Sequence, residues 1–296
     1  MSQPHLAAEI FAQPDNWAEA SALAASFADV LPQPGERVAV IGCGTSLSMA
    51  RGYATLREAA GLGETDAWPA GAARLSRRYD RLVAITRSGT TTEVLQALTE
   101  HAEASPVTVI TSSKESPVLE HGASILLPQF DEQSVVQSRF ATSVLALLRS
   151  HLGERLDHAI DEGRDALAES DEAFDDVRRA EQITFVGMGL GAAIAEEAAL
   201  KLREATGSWT ESYLATEYRH GPISIAAPGR VVWALGPLVP DFERDVAAAG
   251  AHLEHRDVDP MADLVRVQRL CLLRAGDRGI DPDRPRNLAR SVILDS

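Results

Sequence analysis

Three short stretches of Ser, Thr and Gly stand out: Gly42-Cys43-Gly44-Thr45-Ser46, Thr86-Arg87-Ser88-Gly89-Thr90-Thr91 and Thr111-Ser112-Ser113. Each follows a short apolar run, and the first two lead into a helical pattern. The first N–H groups of a helix lack intrahelical acceptors and lie at the positive end of its dipole, so such loops hold anions, phosphate above all. The hydroxyls add donors, and Arg87 adds a guanidinium. Any one of these loops also reads as an ordinary turn and N-cap, since turns and caps select the same residues. Three of them after successive parallel strands would share the carboxyl edge of one sheet, which favours anion binding. A dinucleotide site is the rival, because Gly42-x-Gly44 and Gly187-x-Gly189-x-Gly191 are partial fingerprints. Neither completes G-x-G-x-x-G: Leu47 and Ala192 occupy the last position.

A second group of residues suits proton transfer. Glu196, Glu197, Lys201 and Glu204 fall in the helical stretch after the second glycine loop, with Lys201 on one face with Glu204 and one turn from Glu197. A surface ion pair of about 0.3 kcal/mol is the plain alternative. Downstream, Glu217-Tyr218-Arg219-His220-Gly221-Pro222 puts a histidine where Pro222 stops a helix and Gly221 frees the backbone. A carboxylate and a histidine near a phosphate pocket suit sugar isomerisation. The carboxylate can carry a proton between C1 and C2 through an enediol or enolamine, and a histidine titrating near neutrality can open the ring. By spacing alone, His220 reads equally as a turn histidine.

Positioning these groups requires strands and helices, and the pattern supplies them. Residues 5–31 read as one amphipathic helix ended by Pro32-Gln33-Pro34-Gly35. Apolar runs at 37–41, 82–85, 107–110, 125–127, 183–186 and 231–235 read as strands. Helical patterns run from the first loop to about Ala60, from the second to about Ala102, over 137–150, and from the second glycine loop to about Thr206. A charged stretch at 154–180 reads as linking helices. Strand, Gly loop and helix begin twice, at 37 and 183, so the expected fold is α/β with two related halves, each a mostly parallel sheet flanked by helices. The corresponding division is an N-terminal helical segment 1–34, a first domain 35–165 and a second domain 166–296.

Composition narrows the partners. With 28 Lys and Arg against 43 Asp and Glu, the formal net charge is −15, and no basic run argues for nucleic acid or an anionic membrane. Cys43 and Cys271 are the two cysteines, without CxxC or Cys/His clustering, so neither a disulfide framework nor a metal site is expected, and no cofactor is called for. Met1–Asn16 lacks a basic region followed by an apolar one, and no apolar stretch approaches the roughly 20 residues that span a bilayer. The expected location is the reduced cytoplasm.

Taken together, the motifs resemble the sugar isomerase (SIS) family, in particular the isomerase half of glucosamine-6-phosphate synthase and stand-alone amino-sugar-phosphate deaminases and isomerases. The resemblance rests on Gly42–Ser46, Thr86–Thr91, Glu132-Gln-Ser-Val-Val-Gln-Ser138, Glu197-Ala-Ala-Leu-Lys-Leu-Arg-Glu204, Glu217–Pro222 and Asp281–Arg290, in the family's order over about 30–296. It implies two tandem SIS-type domains of flavodoxin-like, three-layer form. It implies phosphate contacts from Thr45, Ser46, Thr86, Ser88 and Thr91, with Arg87, Glu132, Ser138 and Arg290 as further pocket residues. Glu204 would be the C1/C2 base with Lys201 beside it, and His220 would open the ring while reaching into a partner subunit's site, which implies a homodimer.

Three departures shape the expected function. Arg87 stands where the synthase pattern has Gln, Thr90 where it has Glu, and Arg290 where it has the Schiff-base lysine of Asn-Leu-Ala-Lys-Ser. A guanidinium stays protonated and cannot form that imine. The glutaminase half is also missing from the sequence, so the expectation is a phosphosugar isomerase acting as a hexosamine 6-phosphate deaminase. A plain aldose–ketose phosphate isomerase and a fructosamine-phosphate deglycase are the alternatives within the class. A non-catalytic sugar-phosphate sensor is the alternative outside it, disfavoured because only about 30 residues precede the first strand and no basic patch is present.

Overall fold

The computed structural model describes residues 4–101 and 104–294; the expected helix end near Ala102 lies outside them. In chain order the first elements are α1 (His5–Phe11), α2 (Gln13–Leu23), β1 (Val38–Gly42), α3 (Thr45–Ala59), β2 (Thr65–Pro69) and β3 (Arg81–Ile85). Next come α4 (Thr92–His101), β4 (Val107–Thr111), β5 (Ala123–Leu126), α5 (Arg139–His151), α6 (Asp157–Ala168) and α7 (Asp175–Arg178). Then follow β6 (Gln182–Gly187), α8 (Leu190–Thr206), β7 (Trp209–Leu214), α9 (Ala215–Tyr218) and β8 (Val231–Leu235). The last are α10 (Phe242–Ala249), β9 (His252–Arg256) and α11 (Pro260–Arg278). None of the described helices is long and apolar enough to cross a membrane.

These elements form two compact units, one of residues 15–156 and 289–296, the other of 1–14 and 157–288. The five-stranded sheet lies in the first of these units and the four-stranded sheet in the second. The first 14 residues go with the second sheet, and the chain from Ala289 goes with the first.

In the five-stranded unit the order is β2-β1-β3-β4-β5, all parallel. β1 is buried along its whole length, as a central strand covered on both faces must be. The chain leaves β1 for β2 on one side and later reaches β3 on the other, so a crevice opens between the carboxyl ends of β1 and β3. Apolar residues of β1, β3 and α4, among them Ile41, Ala84, Val94 and Leu98, form one core layer. The four-stranded unit repeats the plan in the order β7-β6-β8-β9, again all parallel. There α8 packs against β6, β7 and α11, and α11 packs on α6.

Two sequence expectations change. The single helix over 5–31 is broken into α1, α2 and a 3₁₀ turn at Ala24–Phe27. Pro14 has no N–H to give Ile10 O, and the Gln13 amide donates to that carbonyl instead, at 3.2 Å. Three strands, β2, β7 and β9, were not legible. They are edge strands of mixed polar sequence (TDAWP, WTESYL, HLEHR) with partly exposed residues, as edge positions allow.

Candidate active site

The glycine loops owe their form to close packing of strand against helix. Gly44 and Gly189 cap α3 and α8 at φ 55° and 56°, a region that costs little only for glycine. A Cβ on Gly42 would stand 2.7 Å from the Ser46 backbone carbon, and one on Gly187 would stand 2.3 Å from that of Gly191. The same tight turn therefore recurs in both units. Only the first is followed by hydroxyls, Thr45 and Ser46, both buried. The backbone amides there are partly spent: Ser46 N–H donates to Cys43 O at 3.1 Å and Leu47 N–H to Gly44 O at 3.0 Å.

The loop after β3 is the better oxygen-binding surface. Gly89, at φ 67°, turns the chain so that Thr86 Oγ1 accepts the Gly89 N–H at 3.2 Å and Ser88 Oγ accepts the Thr90 N–H at 3.3 Å. The loop after β4 does not join it as a third anion loop. Thr111 Oγ1 instead donates to Arg87 O at 3.0 Å and Ser112 N–H to the same carbonyl at 3.3 Å, bracing the second loop from behind.

Arg87 and Glu132 form the frame of this region. Their side chains are 1% and 0% exposed, and Arg87 Nη1 meets Glu132 Oε2 at 3.1 Å. The remaining Nη donors of Arg87 go to Ser134 O, Val135 O and Arg290 O, leaving the buried Nε–H without a partner among the described residues. Glu132 Oε1 accepts from Ser138 N at 2.5 Å and Ser138 Oγ at 3.0 Å. Arg87, Glu132 and Ser138 are thus committed chiefly to one another.

The C-terminal segment lies over the loop. Arg290 donates to Glu132 O and, at 2.5 Å, to Asp131 Oδ1. Burial pushes the Asp131 carboxyl up, but hydrogen bonds from Ser112 and the charge of Arg290 outweigh it and hold the group below its usual range. Thr92 N–H donates to Val292 O at 3.1 Å, and Leu294 N–H to Thr92 Oγ1 at 2.9 Å. Between these contacts the Ser291 hydroxyl enters the loop, within 3.2 Å of Ser88 Oγ, 3.0 Å of Thr90 Oγ1 and 3.4 Å of Thr91 Oγ1.

The cavity left beside it is about 30 Å³ and is lined by Ser46, Thr86, Arg87, Ser88, Thr91 and Arg290, with Cys43 and Gln137 among its other walls. That is room for roughly one water, not for a phosphate group. Thr45, Glu132 and Ser138 lie outside its lining. Burial, together with the Glu93 carboxylate, pushes the Cys43 thiol up and keeps it protonated.

Sequence reasoning missed three residues of this cavity region. Thr90 and Ser291 adjoin chosen residues, and only the fold brings them together. Gln137 lies inside the quoted 132–138 motif, and its buried Oε1 has no partner among the described residues.

In the four-stranded unit, α8 sets Lys201 between two carboxylates. Lys201 Nζ lies 2.5 Å from Glu204 Oε2 and 3.6 Å from Glu197 Oε1. Lys201 and Glu197 are buried, whereas the Glu204 side chain keeps 18% of its surface. A buried ammonium needs such partners to offset desolvation. The pairing fixes one oxygen of Glu204, and Glu204 Oε1 has no hydrogen bond among the described residues.

His220 follows α9, its N–H bonded to Glu217 O at 2.9 Å. Gly221, at φ 134°, and Pro222, opening a 3₁₀ turn, make the bend. The His220 side chain is exposed, with no hydrogen bond or ion pair to Glu204 or to any other described residue.

No protein-family model matches the chain. Its fold is that of solved phosphosugar enzymes. It superposes on glucosamine-6-phosphate deaminase from Thermotoga maritima with a TM-score of 0.79, at 23% identity over 98% of this chain and 100% of that one. On tagatose-6-phosphate ketose/aldose isomerase from Escherichia coli the TM-score is 0.80, at 17% identity over 99% and 96%. In sequence it is 26% identical over 299 residues to glutamine–fructose-6-phosphate aminotransferase [isomerizing] from Sulfurisphaera tokodaii, covering 88% of this chain and 50% of the relative. The chain spans about a quarter to a half of the length of such curated relatives. Two parallel-sheet units with a glycine turn after the first strand of each make up the fold. These likenesses in fold and sequence are to proteins of the kind that the sugar isomerase (SIS) resemblance of the motifs led one to expect.

Proposed function

We propose that this chain is a phosphosugar isomerase working as an amino-sugar-phosphate deaminase on a hexosamine 6-phosphate. One observation carries the reading. Ser88, Thr90 and Thr91 place three hydroxyls around a single oxygen, Ser291 Oγ, which stands in for an oxygen of a bound phosphate. With Ser46 and Thr86 beside them, these groups would hold the 6-phosphate as neutral donors, suited to a chain of net charge −15.

In this reading Glu204 is the base and Lys201 its positioning residue, since Lys201 holds Oε2 and leaves Oε1 for the proton. His220 opens the sugar ring by moving a proton between ring oxygen and hydroxyl. Glu204 then takes the C2 proton of the aldehyde form to give an enolamine and returns it to C1. The product is a 2-imino sugar; water adds at C2, ammonia leaves, and a ketose 6-phosphate remains. The exposed, unpartnered His220 imidazole supports service in a partner subunit of a homodimer. Arg290, anchored on Asp131, would hold the tail rather than form an imine. The unpaired thiols Cys43 and Cys271 support a reduced, cytoplasmic setting.

A plain ketose–aldose isomerase would use the same groups, and the fold likeness to tagatose-6-phosphate isomerase supports it equally. A panel of amino-sugar and keto-sugar 6-phosphates, scored for ammonia release and ketose formation, separates the two. Glu204→Gln should lower C2 hydrogen exchange with deuterated solvent by about 10²–10⁴-fold with little change in phosphate-ligand affinity. Undiminished exchange would remove Glu204 from the mechanism.

A further inference from the structure

Far from the hydroxyl loop in sequence, the end of α7 and the C-terminal end of α11 bring arginines together beside the C-terminal end of α8. A cavity of about 520 Å³ is lined by Arg178, Arg179, Arg274 and Arg278 with Asp175 and Asp277. Asp277 is already spent, because both its oxygens receive Arg178 donors at 2.6 Å. Arg274 and Arg278 have no such partner. Buried Arg274 donates to Arg178 O at 2.8 Å, to Ala180 O and to Ser208 Oγ at 2.9 Å. Arg278 donates to Thr206 O at 2.7 Å and to the same Ser208 Oγ at 3.1 Å. Two guanidinium groups therefore share one neutral hydroxyl and have no carboxylate between them. Arg179, exposed at the rim, makes no hydrogen bond or ion pair among the described residues.

The carbonyl ends of the two helices offset part of this charge, about half an elementary charge each. Asp175 offers another carboxylate on the wall, and its charge acts on Arg178. Positive charge remains uncompensated, and desolvation, together with the neighbouring Arg278, drags the Arg274 pKa down to about 10. In a chain of net charge −15 such a concentration of guanidinium groups is local, not a reflection of the background. The volume falls in the range of small-molecule sites, roughly 300–1,000 Å³. The lining contains no aromatic or aliphatic side chain, so nothing there would stack a nucleobase or hold an acyl chain.

We propose that this cavity is a binding site for a small multivalent oxyanion of the phosphate type, with Arg179 and Arg278 as its principal donors and Arg274 as the buried charge behind them. Planar guanidinium forks match phosphate oxygens bidentately. The site lies within the four-stranded unit, and its ligand is independent of whichever sugar phosphate the hydroxyl loop takes.

The test is calorimetric titration of the full chain with inorganic pyrophosphate at constant ionic strength. It uses a Ser88→Ala/Thr91→Ala background, which disables the hydroxyl loop. Pyrophosphate should still bind there, and adding Arg179→Gln/Arg278→Gln should weaken binding about tenfold or more, one or two charge-assisted hydrogen bonds' worth. Arg179→Gln alone, at an exposed rim position with no bonded partner, should weaken it by a smaller, measurable factor without touching the helix ends. Loss of all binding in the Ser88→Ala/Thr91→Ala background would overturn the proposal, as would equal affinity in the Arg179→Gln protein.

Discussion

Glu132→Gln probes the frame that holds the second loop, and its cost can be worked from the geometry. Arg87 makes four Nη hydrogen bonds, but Glu132 is the only carboxylate among its acceptors; Ser134 O, Val135 O and Arg290 O are neutral. Neutralising Glu132 leaves a guanidinium that is 1% exposed without a counter-charge. Removing one partner of a buried pair costs about 3–5 kcal/mol, a third or more of a typical folding stability of about 10 kcal/mol. Arg87→Gln should cost less, about 1–3 kcal/mol, because Glu132 keeps the Ser138 N–H and hydroxyl as donors. The double variant should be more stable than the sum of the singles by about 1–3 kcal/mol, since neither buried charge is then left alone. The two units can unfold separately, so the measurement is urea-dependent hydrogen exchange of the β1, β3 and β4 peptides. Equal losses for the two single variants, or strict additivity in the double, would refute the view that this pair is an asymmetric buried frame.

Further expectations bear on the tail, on acid stability and on assembly. Ser291→Ala removes the hydroxyl that occupies the loop and should strengthen inorganic phosphate binding about fivefold, the worth of about 1 kcal/mol of hydrogen bonding; weaker binding would mean that the tail assists the ligand rather than competes with it. The Asp131 carboxyl is held below its usual value of 3.8. Its contribution is therefore present above about pH 4 and lost as the pH falls through the lower folded value. Asp131→Asn should accordingly make the stability of the five-stranded unit less sensitive to pH below 4, and an unaltered acid limb would contradict this. Mixed dimers of inactive His220→Ala and Glu204→Gln subunits should recover part of the activity, and their inactivity would count against shared sites.

Much of the chemistry was written locally. Gly42 is demanded by a strand-to-helix turn that leaves no room for a Cβ and Gly44 by its φ of 55°, so their spacing reports the turn wherever it occurs. The Lys201–Glu204 pairing follows from three-residue spacing on one helix, and the central strands β1, β3, β6 and β8 announce themselves because both faces must be apolar. Three of the four edge strands, β2, β7 and β9, escaped notice because a half-exposed strand tolerates charge, as His252–Arg256 shows.

What the sequence alone determined is the set of elements whose signal lies within a few residues: buried strands, tight turns and helix faces. Whether a hydroxyl or a guanidinium faces a ligand depends on contacts between distant segments, and only the tertiary structure decided that. It turned Thr111 and Ser112 inward onto Arg87 O, spent Arg87 on Glu132, and brought Ser291 to Ser88 across 203 residues of chain. Polar side chains satisfy whatever acceptor folding brings near, and burial makes leaving them unsatisfied too costly; residue type therefore names the capability, and packing assigns the partner.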